Sequence, residues 1–376
     1  MARHHGFTKK QILGIYKNMV LSRFLDNKML TLLKQGKSFF HMGCSGHEAA
    51  QLAAATVFKP GEDWFFPYYR DLAFCIGLGM TSRDHMLGSL ARSDDPSSGG
   101  RQLPHHYGLK KLRIVSQSSS TGTQFLQAVG CALAKKMDST KEIVYVSAGE
   151  GTTSQGDFHE ALNWASRAKA PIIFHIQDNE YAISTHKSEQ TSGSIVALAS
   201  GYENLYRYDV DGIDFFETHL AFSQASQRAR KGRGPSLIVS NVVRLLPHSS
   251  SDDHRKYRSS KDLEKDKQRD PLRALEDYCI KNKIISQKVS EKINNDIKKQ
   301  VDTDAQWAEL QEHPDPSSAL DHLYSGDSMV DETAINIIEE DVVMVDAINH
   351  ALKEEMIRNE KMIIFGQDIA DPKGGV

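Results

Sequence analysis

Two apolar runs of strand length, 142–148 and 171–177, flank a helix-like stretch at 158–169. Both runs are nearly continuous in apolar residues, so each reads as a buried strand of a parallel sheet. A parallel pair joined by one crossover brings both carboxyl ends to the same edge. There stand Gly149-Glu150-Gly151 after the first run and Asp178-Asn179-Glu180-Tyr181 after the second. Open sheets of this kind bind ligands at that edge. A carboxylate and an amide oxygen are hard ligands, suited to Mg²⁺ shared with a phosphate group, and small residues beside the acid let a diphosphate approach the backbone. Gly-x-Gly after a strand is common by itself; the asparagine at crossover distance narrows the reading.

The rest of the chain repeats the alternation. Thr8 is placed to cap a helix whose apolar positions run from Ile12 to Leu33, with Gly36 as its stop. Helical patterns follow at 47–58 and 69–79, a loop at 91–110, and a polar run at 116–123 that opens a helix over 124–136. A strand ends near 208–212, a helix covers 215–231, and a buried strand covers 235–244. The fold class is therefore α/β, a parallel sheet covered by helices on both faces. Residues 246–270 are almost wholly polar and read as a solvated loop, placed after a core strand where an active-site loop can sit. Helices occupy 271–312. The pattern restarts at 342 with an amphipathic helix to 358 and a short strand at 362–365, running into a glycine-rich turn. This divides the chain into a domain at 1–313, a linker at 314–341, and the start of a second, similar domain at 342–376.

Composition narrows the function. A net charge of −3 gives no reason to expect nucleic acid or a membrane as partner. No apolar run reaches membrane length. Cys44, Cys75, Cys131 and Cys279 show no metal-binding spacing and read as reduced thiols of a cytoplasmic protein.

Across roughly 8–340 the motifs resemble, in order, the alpha subunit of thiamine-dependent 2-oxo acid dehydrogenases. Tyr69-Arg70-Asp71 resembles the family's Tyr-Arg pair, whose arginine binds the diphosphate. The loop from Gly100 to Gly108, Gly-Arg-Gln-Leu-Pro-His-His-Tyr-Gly, resembles Gly-Arg-Gln-Met-Pro-x-His of the branched-chain members, and the matching histidine is His106 rather than His105. Ser118 to Gln124 resembles the turn that contacts the aminopyrimidine ring, here through Ser119 and Thr121. In relatives that turn also holds a structural K⁺, which would involve Ser118, Ser120, Thr123 and Gln124. A capped helix start fits the same residues equally well. Arg244 and the run from His248 to Asp253 resemble the family's Arg…His-Ser-x-Ser-Asp-Asp loop, in which Ser249 matches a regulatory phosphorylation site of eukaryotic relatives. Phe40 and Met42 fall where relatives line the acyl pocket, although core packing explains them as well.

The resemblance implies thiamine diphosphate and Mg²⁺ as cofactors. Glu150, Asn179 and the Tyr181 carbonyl would be metal ligands, with Gly149, Gly151, Tyr69, Arg70, Arg244 and His248 around the cofactor. His106 and His248 would be the catalytic histidines. Glu150 in place of the usual Asp points, like the loop at 100–108, to a branched 2-oxo acid such as 2-oxoisovalerate. Gln177 stands where some members carry a phosphate-binding arginine. Implied partners are a beta-like half, in the same polypeptide or a separate subunit, and the lipoyl domain of a dihydrolipoyl acyltransferase. The assembly implied is a homodimer or a heterotetramer-like one. The tail from 342 resembles the opening of the beta subunit, with Gln367 replacing its Glu, so the chain reads as the N-terminal part of an alpha–beta fusion, inactive alone. A pyruvate or acetoin dehydrogenase, or a non-catalytic phosphate-binding scaffold, would share most of these features.

Overall fold

A computed structural model of the chain describes residues 4–324, 341–366 and 369. The first helix, α1 (Lys9–Lys34), starts on a Thr8–Gln11 capping box. Next come α2 (Glu48–Ala55), β1 (Trp64–Phe66), α3 (Leu72–Leu78) and α4 (Ser82–Ser89). The unit expected to carry the site follows as α5 (Thr123–Met137), β2 (Val144–Gly149), α6 (Gly156–Ala168) and β3 (Ile172–Asp178). A two-stranded hairpin, β4 (Tyr181–Ala182) and β5 (Thr185–His186), leads to two single-turn helices, α7 (Lys187–Gln190) and α8 (Ile195–Leu198). The alternation ends with β6 (Tyr206–Asp211), α9 (Phe215–Arg230) and β7 (Ser236–Asn241), then α10 (Ser260–Gln268), α11 (Pro271–Lys281) and α12 (Gln287–Glu309).

The sheet is parallel throughout, in the order β1-β2-β3-β7-β6. Its two faces are sorted by the period of two along each strand. Val144, Val146 and Ala148 of β2, Ile172, Phe174 and Ile176 of β3, and Leu237 and Val239 of β7 pack into one core with α5 and α6. The residues between them, Tyr145, Ile173 and Ile238, join the other core with α1, α2, α3 and α9. Helices on both faces explain why the strands read as unbroken apolar runs.

The structure departs from the sequence reading in several places, among them the hairpin β4–β5 and the short helices α7 and α8, which that reading did not contain. Strand β1 and helix α4 have no counterpart in it; β1 is three residues long, too short for a periodic signal. The helix expected at 69–79 begins at Leu72, leaving Tyr69 and Arg70 in the preceding turn. The polar stretch 246–270 is not all loop: Ser259 caps α10, none of whose residues is fully buried. The helix from 342 is observed as α13 (Met344–Arg358), but Met362 to Phe365 form no strand, since no neighbouring strand pairs with them. The turn containing Gln367 lies outside the described residues, as does most of the linker expected at 314–341. By contact density the chain divides into Met1–Ala319 and Leu320–Val376. In the second unit α13 buries none of its residues and leaves Val345, Ile348, Leu352 and Met356 exposed.

Edge strand β1 is held by a buried carboxylate. Asp63, fully buried, accepts from Arg230 of α9 at 2.9 and 2.6 Å, from Ile143 N–H at 3.0 Å and from Lys59 N–H at 2.8 Å. Replacing Asp63 by Ala strands a cation and two amides, so D63A is expected to lower unfolding free energy by about 3–5 kcal/mol in urea denaturation.

Candidate active site

The carboxyl ends of β2 and β3 open into a cleft of about 420 Å³. Glu150 begins a short 3₁₀ turn directly after β2 and is 2% exposed. One oxygen, Oε2, accepts from Asn179 N–H at 3.2 Å; the other, Oε1, has no hydrogen-bond partner although it is buried. Asn179 Oδ1 is likewise buried and unpartnered. Both side chains line the cleft, as does Tyr181. Burial, and the nearby Asp178, push the Glu150 carboxyl up to about 7. Gly151 is required here: a Cβ on it would stand 2.6 Å from Ala182 Cβ, where the hairpin packs on the turn.

The opposite wall comes from the turn before α3 and from three loops. Arg70 is 2% exposed, donates to Gly43 O, and lies 3.4 Å from both Nδ1 and O of His248. Its guanidinium also covers the Tyr69 ring, 5.3 Å from the centroid. His106 Nδ1 pairs with Leu103 O at 2.6 Å, so Nδ1 is the protonated nitrogen. Nε2 lies 2.8 Å from Ser119 Oγ. Burial, with Arg70 and Arg244 nearby, pulls His248 down to about 3, so it is neutral in the ligand-free chain.

The cleft lining brings together His106, His248, Tyr69, Arg70, Ser118, Ser119, Thr121, Gly149, Glu150, Gly151, Asn179, Tyr181, Phe40 and Met42. Phe40 and Met42 are thus wall residues, and neither belongs to the two hydrophobic cores. Arg244 is placed one layer behind. It is 1% exposed and donates to the carbonyls of Tyr181 and Ile183 at 3.2 and 2.9 Å, and to Tyr257 OH at 2.8 Å. Ser120, Thr123 and Gln124 also stand outside the lining. Thr123 Oγ1 donates to Ser120 O, and the Gln124 amide accepts from Gly122 N–H and donates to Ser147 O. Gly122 is the N-cap of α5 with no side-chain cap bond, and Gln124 ties the helix start to β2. Gln177 is not available to a phosphate: its amide donates to Asp71 at 2.5 Å and accepts from Gln51 and His47 at 2.9 and 2.8 Å in the buried interior.

The sequence reading missed Tyr68, Leu103, Gln117, Thr152 and Ile183 in the wall. Gln117 carries no motif. With its amide oriented to donate to Pro67 O and accept from Tyr69 N–H, it fixes the turn that presents Arg70. Among the described residues, no group of three or more His, Cys, Asp or Glu is arranged to hold a metal.

The dehydrogenase E1 component family matches residues 16–317, and the chain belongs to that family. Within it, the chain is 39% identical over 321 residues to the 2-oxoisovalerate dehydrogenase subunit alpha of Bacillus subtilis, covering 85% of this chain and 97% of that one. It is 33% identical to the 3-methyl-2-oxobutanoate dehydrogenase subunit alpha of Mycobacterium tuberculosis, over 77% of this chain and 76% of the other. It is 32% identical to the pyruvate dehydrogenase E1 component subunit alpha of Bacillus cereus, over the same shares.

The raised Glu150 carboxyl has a measurable consequence. Above its ordinary value of 4.5 and below about 7, the folded chain keeps a proton that the unfolded chain has lost. Stability therefore falls as pH rises through that window, by at most about 3 kcal/mol. E150Q removes this titration. Denaturation in the presence of a metal chelator should show E150Q level with the parent near pH 4.5 and gaining on it up to pH 7; a pH-independent difference would contradict the assignment.

Proposed function

We propose that this chain is the alpha-type half of the decarboxylating first component of a 2-oxo acid dehydrogenase complex, acting on a branched 2-oxo acid such as 2-oxoisovalerate. One observation carries the reading: Glu150 Oε1 and Asn179 Oδ1 are buried, unpartnered, and line one cleft. Oxygens of this kind fit Mg²⁺, which demands hard ligands in close order. Tyr181 O, already accepting from Arg244, has a second lone pair for the same ion.

Thiamine diphosphate, when bound, supplies a nucleophilic carbon and an electron sink for loss of CO₂. The chain's own residues bind and orient. Arg70 offers its planar fork to the diphosphate. The turn at Ser119 and Thr121 meets the pyrimidine end. His106, with Nε2 facing Ser119, and His248 would hydrogen-bond to the substrate carboxylate and give a proton to the thiolate left when the lipoyl disulfide opens on acyl transfer. Phe40 and Met42 bound the acyl chain.

The group that activates the cofactor ring belongs, in the family this chain resembles, to the beta portion. We therefore assign the diphosphate half-site to residues 1–319 and read the segment from 342 as the opening of a beta-like domain in the same polypeptide. Two facts support this: the Bacillus subtilis relative is matched over 97% of its length by 85% of this chain, and α13 exposes an apolar face. The free thiols suit a reducing compartment, the cytoplasm.

Calorimetry on the chain joined to its beta-type half should show Mg²⁺-dependent binding of thiamine diphosphate, weakened at least about 100-fold by E150A or N179A. Turnover should rank 2-oxoisovalerate above pyruvate and acetoin, and the 376-residue chain alone should turn over none of them. Binding indifferent to E150A would favour a scaffold; preference for pyruvate would move the chain to the other branch.

A further inference from the structure

His41 lies at the junction of the segments that carry both cleft histidines. It is 2% exposed, and its neighbours Phe40 and Met42 line the cleft while its own side chain turns inward. There, Nε2 lies 3.0 Å from Asp26 Oδ1 of α1, and Nδ1 lies 3.4 Å from Nε2 of His105. Its backbone carbonyl accepts from Ser250 N–H at 2.8 Å, and its N–H donates to Ser250 Oγ at 3.4 Å. His105 directly precedes His106, and Ser250 follows closely on His248. One residue thus touches both histidine loops, with its side chain on one and its backbone on the other.

The donors along this line close in one sense. Tyr107 OH donates to Tyr69 O at 3.3 Å, so its oxygen accepts from His105 Nδ1 at 3.0 Å. Burial keeps His105 neutral, so its Nε2 is an acceptor and His41 Nδ1 must donate to it. The other His41 nitrogen faces the Asp26 carboxylate. Asp26 is held ionised against its own burial by His41, by Ser45, and by the N–H of Cys44. The chain runs from a buried carboxylate past the His41 ring and a neutral imidazole to a tyrosine hydroxyl. It ends on the carbonyl just before Arg70.

We propose that His41, anchored by Asp26, is a positioning residue that sets the placement of His106 relative to His248, with His105 as the link to the His106 loop. This rests on the functional reading above and adds to it a determinant in residues that do not line the cleft.

The test uses the full chain assembled with its beta-type half. H105V should lower kcat/KM for the 2-oxo acid between about 10- and 100-fold, since small misplacement of reacting groups costs that much. Thiamine diphosphate affinity should stay unchanged by calorimetry, because Glu150 and Asn179 are untouched. Backbone hydrogen exchange should rise at 103–107 and stay level at 118–124. H105Q, whose amide reaches towards His41, should recover most of the activity, and Y107F should give a smaller effect of the same kind. Turnover of H105V at the parent rate would overturn the proposal. So would an equal loss of cofactor binding, or H105Q no better than H105V. If the parent assembly turns over no 2-oxo acid, the functional reading fails instead. The exchange measurement then decides this proposal alone: loosening at 103–107 supports it and unchanged exchange overturns it.

Discussion

A carboxylate and an amide oxygen left buried without donors are a cost that folding alone does not recover. Glu150 Oε1 and Asn179 Oδ1 both stand in that condition. An unsatisfied buried polar atom costs about 1–3 kcal/mol, more when charged. The sheet around them is built so that relaxation cannot remove the cost. Gly151 packs on Ala182, Asn179 N–H holds the second Glu150 oxygen, and Arg244 fixes the hairpin carbonyls. What remains is a small set of oxygen atoms whose natural complement is a hard cation.

The support beneath this set is polar rather than apolar. Asp71 accepts from Ser147 of β2, from Gln177 of β3 and, more distantly, from Tyr145 OH. Gln177 in turn takes hydrogen bonds from Gln51 and His47, and Gln51 donates to Arg70 O. The strand ends and the Arg70 turn are therefore tied together through side chains. Burial drives Asp71 up to about 7 despite these donors, a sign of how fully water is excluded. A connected buried network of this sort favours one arrangement where an apolar core would allow several.

The βαβ unit was legible because its strands are buried on both faces and its ends carry Gly-Glu-Gly and Asp-Asn. The wall residues at Arg70, His106 and His248 were legible through resemblance, since no periodicity predicts what a loop approaches. Arg244 shows the limit: a motif marks a residue as part of a site without saying in which layer it stands. Gln177 shows it more sharply. At the end of a buried strand, neighbouring residues point to opposite faces, and β3 places Gln177 on the interior side, away from the cleft. Strand β1 left no trace because three residues give one period and a half. The charged helix α10 was invisible because a helix without an apolar face has the composition of a loop.

The cleft's electrostatics bear on its occupant. Arg70 and Arg244 are both buried, and each raises the cost of the other's charge. Neither is neutralised by an ion pair among the described residues; both donate chiefly to carbonyl oxygens. Their field, together with burial, is what strips the proton from His248. An anion of high charge density in the cleft beside Arg70 would oppose both effects, offsetting the arginine charge and letting His248 take up a proton. In the ligand-free chain His248 is a neutral imidazole; beside an anion it would hold a second proton and could act as an acid. Arg70, the charge that the proposed function gives to the cofactor's anionic end, lies 3.4 Å from His248, so on that reading anion binding and the proton chemistry of His248 are coupled through it.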